Sequence, residues 1–331
     1  MISRKFISKF IALIVGLLCL YVAYLHNSSN TYIYKGTAYG TTWSITTIDF
    51  LNDKHKTSIK KIISKIDYVA SNYKEDSEVA LLNNSKESEV YVSDYLFEIL
   101  SLAKEIEELS NNSYDIKLGK VSSSLGFSPD FNKNLDHSRN SSYLLNRTNY
   151  SVTKNSDFWF DLSSIAKGYA VDLISEYLEE NNFHNYIVEI GGELTLKGFN
   201  HKNDWNIAIQ DPQSISSNPI YIVSNINGNK LSIATSGEYR NFKYNDDGSK
   251  ISHTINPINY KSISNDILSV TTLSIHSAAN ADALATAFNV MGVEKGLAMA
   301  NKNDLAVMFI IKSNDNLMRF IYSDKWYDLT K

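Results

Sequence analysis

The sequence is poor in cysteine and proline and has no excess of positive charge. A single cysteine, Cys19, in 331 residues excludes an intramolecular disulfide and any metal site built from several cysteines. Four prolines and 14 glycines exclude collagen-like and linker-rich chains. With 32 Lys and Arg against 36 Asp and Glu, the net charge of −4 argues against a general nucleic-acid-binding protein. The rest of the composition, 43% hydrophobic and 21% charged, is that of a globular protein.

The first thirty residues differ from the rest of the chain. Arg4, Lys5 and Lys9 precede an uncharged apolar run over residues 10–25, and a polar stretch follows. A basic leader before an apolar run is typical of an export signal, which would place residues 31–331 beyond the membrane. As a helix, the run spans about 24 Å, less than a hydrocarbon core of about 30 Å. We expect an uncleaved membrane anchor over residues 1–30, with lipidation at Cys19 and ordinary signal cleavage as the alternatives.

Residues 31–331 contain no repeat, no low-complexity block and no linker, so we interpret them as one compact domain. Apolar residues at helical spacing predict helices over 58–73, 92–109, 165–181 and 278–290. Runs of β-branched and aromatic residues predict strands near Tyr221 and Leu231 and over 39–50, 186–190, 206–210, 305–311 and 317–321. The stretch 128–156, rich in Asn and Ser, is interpreted as a surface excursion. This mixed order of elements predicts an α+β fold.

The segment 161–172 places an acidic residue and hydroxyls directly before a predicted helix. Asp161, Ser163 and Ser164 precede Lys167. A helix N-terminus can hold a phosphate through its free N–H groups, and a lysine there adds positive charge. The alternative is that Asp161 or Ser163 only caps the helix. Two further polar segments contain glycine and favour a turn or a weak ligand cradle: 188–193 and 234–240.

Asp282 and Thr286 lie four residues apart in a predicted helix, so that both oxygens project from one face. Hard oxygen ligands suit Mg²⁺, which takes few protein ligands and completes its octahedron with phosphate and water. The alternative is a solvent-facing aspartate beside an incidental threonine. His253 is the best general-base candidate among seven histidines, although a lone histidine in a strand is more often structural.

Taken in order, eight segments between residues 39 and 292 resemble the ApbE family of flavin transferases, which move FMN from FAD onto a Thr or Ser hydroxyl of a target protein. Each segment alone is a weak signal, and the signal is strong because all eight occur in register. The segments are 39–43, 71–78 with Asn83, 114–119 followed by 125–127, 161–172, 189–193, 234–240, 253–257 and 282–286.

The resemblance implies a single α+β domain similar to the T-fold, and it implies roles for individual residues. A Mg²⁺ ion would be held by Asp282, Thr286 and Ser164, the last through its carbonyl. Tyr73 would stack on a flavin or adenine ring, while His253 and Asp282 would be catalytic. The residues in contact with FAD would be Tyr39, Tyr73, Ser113, Tyr114, Asp115, Asp161, Lys167 and Ile255.

Several positions depart from the family pattern. Tyr39 stands where Met is usual, and Glu238 stands where Asp is common. Asn256 replaces the Asp of the His-x-x-Asp-Pro pattern, and Asn259-Tyr260 follows in place of Thr-Gly. These changes concentrate in the loop that carries His253 and leave the metal residues unchanged.

We therefore expect a Mg²⁺-dependent FAD:protein FMN transferase that releases AMP. The acceptor would be a subunit of a membrane redox complex, and the catalytic domain would face the periplasmic side of the cell membrane. Two alternatives use the same FAD site: a pyrophosphatase that hydrolyses FAD to FMN and AMP, and an envelope protein that binds FAD without chemistry. A third alternative is an envelope module without any flavin.

Overall fold

The computed structural model describes residues 4–27, 30–129, 141–214, 218–237, 242–244, 250–313 and 317–330. Its centre is one sheet of eight strands in which every neighbouring pair runs antiparallel. The helices of this part of the chain are α1 Arg4–Asn27, α2 Asp53–Ala70, α3 Glu78–Asn84, α4 Asp94–Leu109, α5 Gly119–Ser124, α6 Ala166–Glu180, α7 Ala278–Lys302 and α8 Asp324–Thr330.

The strands divide into the central sheet and five small ones. The central sheet has the order β1 Tyr32–Ala38, β2 Thr41–Thr47, β6 Tyr186–Ile190, β7 Glu193–Lys197, β12 Leu231–Gly237, β17 Ile267–Ser274, β18 Ala306–Lys312 and β19 Met318–Tyr322. The small sheets pair β3 Glu89–Tyr91 and β4 Tyr143–Asn146 with β5 Ser151–Lys154, β8 Phe199–Asn200 with β9 Asn203–Asp204, β10 Asn206–Gln210 with β11 Pro219–Ser224, β13 Phe242–Tyr244 with β14 Lys250–Ser252, and β15 Ile255–Asn256 with β16 Lys261–Ser262.

The middle strands of the central sheet, such as β7, β17 and β18, are buried on both faces. Successive side chains of a strand point to opposite faces, and β18 shows the consequence. Val307 and Phe309 belong to the larger core, which α2, α4, α6 and α7 complete. Met308 and Ile310 belong to a second core with Trp326 of α8. Helices α2, α4, α6 and α7 therefore cover one face of the sheet. Helix α8 and the β10–β11 hairpin cover the other face.

Helices α6 and α7 approach each other closely at one glycine. A Cβ atom at Gly168 would overlap the carbonyl group of Ala278, so only glycine permits this approach. Four residues further along α6, the Asp172 carboxylate accepts hydrogen bonds from the Ala278 and Ala279 amides at 2.7 and 2.9 Å. These are among the first amides of α7, which have no partner within their own helix. Asp172 therefore fixes the start of α7 against α6.

The predicted α+β order is confirmed, and the helices and strands predicted around the site are present. The prediction of a surface excursion was wrong. The stretch 128–156 is not only a surface excursion, because β4 and β5 lie within it and bury Tyr143 and Val152 in the larger core. Helix α7 runs to Lys302, but its backbone breaks at Gly292, where φ is +78°, close to the predicted end at Val290. Residues 130–140 of the first stretch lie outside the described residues.

Helix α1 covers the segment predicted as a membrane anchor. Among the residues that the structure describes, no helix combines the length and the apolar character needed to cross a membrane. The membrane anchor stays a prediction.

Replacing Gly168 by alanine should destabilise the protein, because the added methyl group would force α6 and α7 apart. Overpacking of this kind costs about 1–3 kcal/mol. Urea unfolding should show this loss, and Gly16→Ala is the matched control because nothing lies within 4 Å of a Cβ there. Equal stability of the Gly168→Ala protein and the wild type would contradict the argument.

Candidate functional site

A cavity of about 590 Å³ opens between the ends of α2, α6 and α7 and the small hairpin β15–β16. Its volume lies within the usual range for ligand pockets, about 300–1,000 Å³. Every residue that the sequence predicts for the site lines this cavity: Tyr39, Tyr73, Ser113, Tyr114, Asp115, Asp161, Ser164, Lys167, His253, Ile255, Asp282 and Thr286. The fold thus brings together residues that lie up to about 250 positions apart in the chain.

Three charged side chains form a buried cluster at the wall of the cavity. Asp282 Oδ2 accepts a hydrogen bond from the Gly168 amide at 3.3 Å and lies 3.5 Å from Lys167 Nζ. Glu193 Oε2 lies 3.4 Å from the same ammonium group. We call these residues the Asp282–Lys167–Glu193 cluster. Sequence analysis did not select Glu193 as a site residue, although Glu193 ends the glycine-containing segment 188–193.

The cluster sets one cation against two carboxyl groups, so it carries a net negative charge only when both carboxyl groups are ionised. Burial and, to a smaller extent, the Asp282 charge together raise the pKa of Glu193 to about 8, although Lys167 lowers it. Burial also raises the pKa of Asp282, which Lys167 and the Gly168 amide partly offset. Burial lowers the pKa of Lys167, but the two carboxylates outweigh it and leave that pKa above its usual value. Lys167 therefore stays protonated.

The donor set beside this cluster fits a hard cation. Thr286 lies one helical turn after Asp282 on α7 and, like it, lines the cavity. Within the described residues, no group of three or more His, Cys, Asp or Glu side chains is arranged to hold a metal. A cation here would therefore need hydroxyl, backbone and ligand oxygens, as Mg²⁺ commonly does. The buried Glu193 Oε2 accepts no hydrogen bond from the described residues, so added positive charge nearby would be favourable.

The segment before α6 holds its polar groups through local hydrogen bonds. Asp161 Oδ1 accepts from the Ser163 amide at 3.0 Å and also from Asn72 Nδ2. The Ser164 hydroxyl donates to Tyr114 Oη at 3.0 Å. Ile165, at the cap position of α6, makes no side-chain cap hydrogen bond. The interpretation of Asp161 or Ser163 as the helix cap was therefore wrong, because Asp161 stabilises the preceding turn instead.

Tyr39 and Tyr73 line the cavity together with Tyr114, and Tyr39 lies in a turn that the sequence did not predict. Tyr39 was predicted within a strand, but Tyr39 and Gly40 form the two-residue turn of the β1–β2 hairpin, with φ of +53° and +70°. Positive φ at both positions is the mark of a type I′ turn. The Tyr39 hydroxyl donates to the Ile63 carbonyl at 2.8 Å. Tyr73 is 66% exposed, and its hydroxyl donates to the Phe127 carbonyl at 2.8 Å.

The predicted residues His253 and Ile255 and part of the predicted segment 234–240 also line the cavity. Ile255 of the β15–β16 hairpin is buried and packs in one cluster with Leu118 and Val121. His253, two residues earlier, has its ring centroid 6.3 Å from that of Phe127. Residues 238–240 of the predicted segment 234–240 lie outside the described residues. Thr235 and Ser236 of that segment line the cavity, as do Phe242 and Lys243, which the sequence analysis did not select.

Residues 39–309 match the model of the ApbE family. The chain belongs to the ApbE family. Among the relatives of this ApbE-family chain, the FAD:protein FMN transferase of Vibrio cholerae is 32% identical over 280 residues, 81% of this chain and 82% of the relative. The FAD:protein FMN transferase of Haemophilus influenzae is 28% identical over 339 residues, 95% of each chain.

Solved structures of the family share the fold of this ApbE-family chain. The flavin transferase ApbE from Vibrio cholerae superposes with a TM-score of 0.79 at 30% identity, over 91% of this chain and 99% of that one. The apo form of the Pseudomonas stutzeri flavinyl transferase ApbE gives a TM-score of 0.79 at 26% identity, over 91% and 97%. The predicted single mixed domain and the predicted family are therefore confirmed.

The raised pKa of Glu193 predicts a pH dependence of stability in metal-free protein. Between its ordinary pKa of 4.5 and its folded value of about 8, the folded state binds more protons than the unfolded chain. The free energy of unfolding should therefore fall as pH rises through this window, by at most about 1.4 kcal/mol per pH unit. Glu193→Gln should flatten this dependence.

Urea unfolding in EDTA at several pH values between 5.5 and 8.5 measures the effect. The control is Glu87→Gln, because Glu87 is exposed and lies outside the cavity lining. Equal slopes for the wild type and the Glu193→Gln protein would show that the Glu193 carboxyl is not held protonated by the fold.

Proposed function

We propose that this protein is an FAD:protein FMN transferase, which moves FMN from FAD onto a Thr or Ser hydroxyl of an acceptor protein and releases AMP. The observation that carries the proposal is the nucleotide-sized cavity with the Asp282–Lys167–Glu193 cluster in its wall. Relatives named for this activity cover most of the chain and support the proposal.

The proposal includes a Mg²⁺ ion held by Asp282, Thr286 and the backbone of Ser164. The oxygen-rich donor set and the two carboxyl groups of the cluster support this assignment. When bound, Mg²⁺ would neutralise charge on the pyrophosphate oxygens of FAD. Lys167 would add a fixed positive charge, since Asp282 and Glu193 hold its ammonium group from two sides.

The chemistry proposed is phosphoryl transfer across the FAD pyrophosphate. The acceptor hydroxyl oxygen forms a bond to the phosphorus of the FMN half, the anhydride P–O bond breaks, and AMP leaves with the electron pair. His253 takes the hydroxyl proton. Tyr73 stacks on a ring of FAD at the cavity mouth, where the side chain is largely exposed. Asp115 and Asp161 accept hydrogen bonds from the nucleotide.

Hydrolysis of FAD to FMN and AMP is a second candidate activity, and the open mouth of the cavity favours it. The 66% exposure of Tyr73 shows that solvent reaches the edge of the cavity. Water in place of the acceptor hydroxyl would use the same residues and the same leaving group.

We further propose that residues 1–30 act in export and that the domain 31–331 works on the extracytoplasmic side of the cell membrane. The basic leader and the apolar run support this topology. The acceptor would then be a subunit of a membrane redox complex exposed on the same side. Digestion of the domain by protease added to spheroplasts, with a cytoplasmic marker intact, tests this placement.

The test of function is incubation of the full chain with FAD, Mg²⁺ and an acceptor domain that carries a threonine. The transferase should add the mass of FMN to the acceptor and release an equal amount of AMP, and EDTA should abolish both. AMP without a modified acceptor would favour the hydrolase, and bound FAD without either product would favour a carrier.

Asp282→Asn should lower the transfer rate by about 100-fold or more while leaving the fold intact, because loss of a metal ligand removes several kcal/mol of charge stabilisation. The matched control is Asp53→Asn, whose carboxylate is fully exposed on α2. Near-normal transfer by the Asp282→Asn protein, with unchanged Mg²⁺ dependence, would rule out the metal assignment.

His253→Gln should lower kcat for transfer by about 100-fold, the lower end of general-base contributions, and change the KM for FAD little. His276→Gln is the control, because His276 is exposed and lies outside the cavity lining. A kcat within threefold of the wild type across pH 6–9 would exclude His253 as the base.

A further inference from the structure

A second buried ionic cluster lies behind the cavity wall. It consists of Glu107 on α4 with Asp115 and Lys117 on the following segment, and we call it the Glu107–Lys117–Asp115 cluster. The side chains are 7%, 15% and 10% exposed, respectively. Asp115 lines the cavity, whereas Glu107 and Lys117 do not. The cluster therefore connects a cavity residue to two residues behind it.

Lys117 holds one oxygen of Asp115 through two groups. Its ammonium nitrogen lies 2.8 Å from Asp115 Oδ1, and its backbone amide donates to the same oxygen at 2.7 Å. Within the described residues, no hydrogen bond reaches the other oxygen, Oδ2. The carboxylate is thus fixed on one side and keeps an acceptor for a ligand on the other.

Glu107 in turn fixes Lys117 and the chain around it. Glu107 Oε1 lies 3.1 Å from Lys117 Nζ and accepts from the Ile116 amide at 3.1 Å. Glu107 Oε2 accepts from the Tyr143 hydroxyl at 3.2 Å. Contacts to both carboxylate oxygens leave Glu107 little freedom, so the position of Lys117 is fixed relative to α4.

The charges of this cluster point to a role other than stability. Burial lowers the pKa of Lys117, but Asp115 and Glu107 outweigh it and leave the pKa above its usual value. One buried cation therefore faces two carboxyl groups. Replacing a buried ionic group by packed apolar side chains is often neutral or stabilising. If the cluster orients the Asp115 carboxylate, this role explains why Asp115 is the member of the cluster that lines the cavity.

We infer that Lys117, supported by Glu107, is a positioning residue that fixes the Asp115 carboxylate so that Oδ2 accepts a hydrogen bond from an N–H or O–H group of the bound nucleotide. The inference rests on the proposed function, because it takes FAD as the nucleotide. It assigns to Lys117 no contact with substrate and no part in bond breaking.

The test compares Lys117→Met with the conservative Lys117→Arg in the full chain. FAD affinity is measured by quenching of flavin fluorescence without acceptor, and transfer kinetics are measured separately. Lys117→Met should raise the Kd and KM for FAD about tenfold, the usual effect of a hydrogen bond to a charged group. The kcat and the acceptor KM should change less than twofold, and Lys117→Arg should restore FAD affinity to within threefold.

A double-mutant cycle separates positioning from a structural role. If Lys117 acts through Asp115, Lys117→Met should have no further effect on FAD affinity in an Asp115→Ala background. Independent effects of the two substitutions on the Kd would overturn the inference. If Lys117→Met does not fold, Lys117→Met with Glu107→Gln removes one carboxylate together with the cation and is measured in the same way.

Unchanged FAD affinity in a folded Lys117→Met protein would overturn the inference, as would a fall in Tm and kcat without a change in Kd. The transferase proposal fails separately. Wild-type protein that binds FAD but transfers no FMN would reject that proposal, while the Kd values would still decide the role of Lys117. Wild-type protein that binds no FAD would overturn both.

Discussion

The contact between α6 and α7 is the constraint on which the site depends. Gly168 lets the two helices approach, and Asp172 fixes them by accepting hydrogen bonds from the first amides of α7. The same contact places the Gly168 amide and the Lys167 ammonium beside the Asp282 carboxylate. A small displacement of either helix would leave a buried carboxylate without its partners, which is strongly destabilising. The position of the site is therefore tied to the packing of the core.

The two buried clusters have the same arrangement of charged groups. Each sets one lysine against two carboxylates at or behind the cavity wall: Asp282–Lys167–Glu193 and Glu107–Lys117–Asp115. Such groups add little net stability, but they hold charges in fixed directions without reorganisation when a ligand arrives. Phosphoryl transfer depends on positioning and charge stabilisation rather than on covalent chemistry by the protein. Rigid buried charges beside a nucleotide-sized cavity suit that requirement.

Periodic spacing predicted the elements that carry the site because each has a continuous buried face. Helix α6 begins one residue after its predicted start, and β6 has its predicted bounds. The failures have a different cause. Strands β4 and β5 have only four residues each, and β5 pairs with β3, which lies more than fifty positions earlier in the chain. The sequence predicted a strand at Tyr39, whereas Tyr39 lies in a turn with positive φ. This prediction failed because the pairing of β1 with β2 sets the turn, and a tyrosine side chain does not indicate one.

The sequence by itself determined which chemical groups are present and that eight short segments occur in the order of one family. It also located Asp282 and Thr286 on one helix face, because i and i+4 positions always share a face. Only the tertiary structure decided which of these groups meet. Glu193 joins Lys167 and Asp282, and Lys117 joins Glu107 and Asp115, through contacts between separate elements. Burial and the resulting shifts in pKa arise from that packing, and no local pattern of residues encodes them.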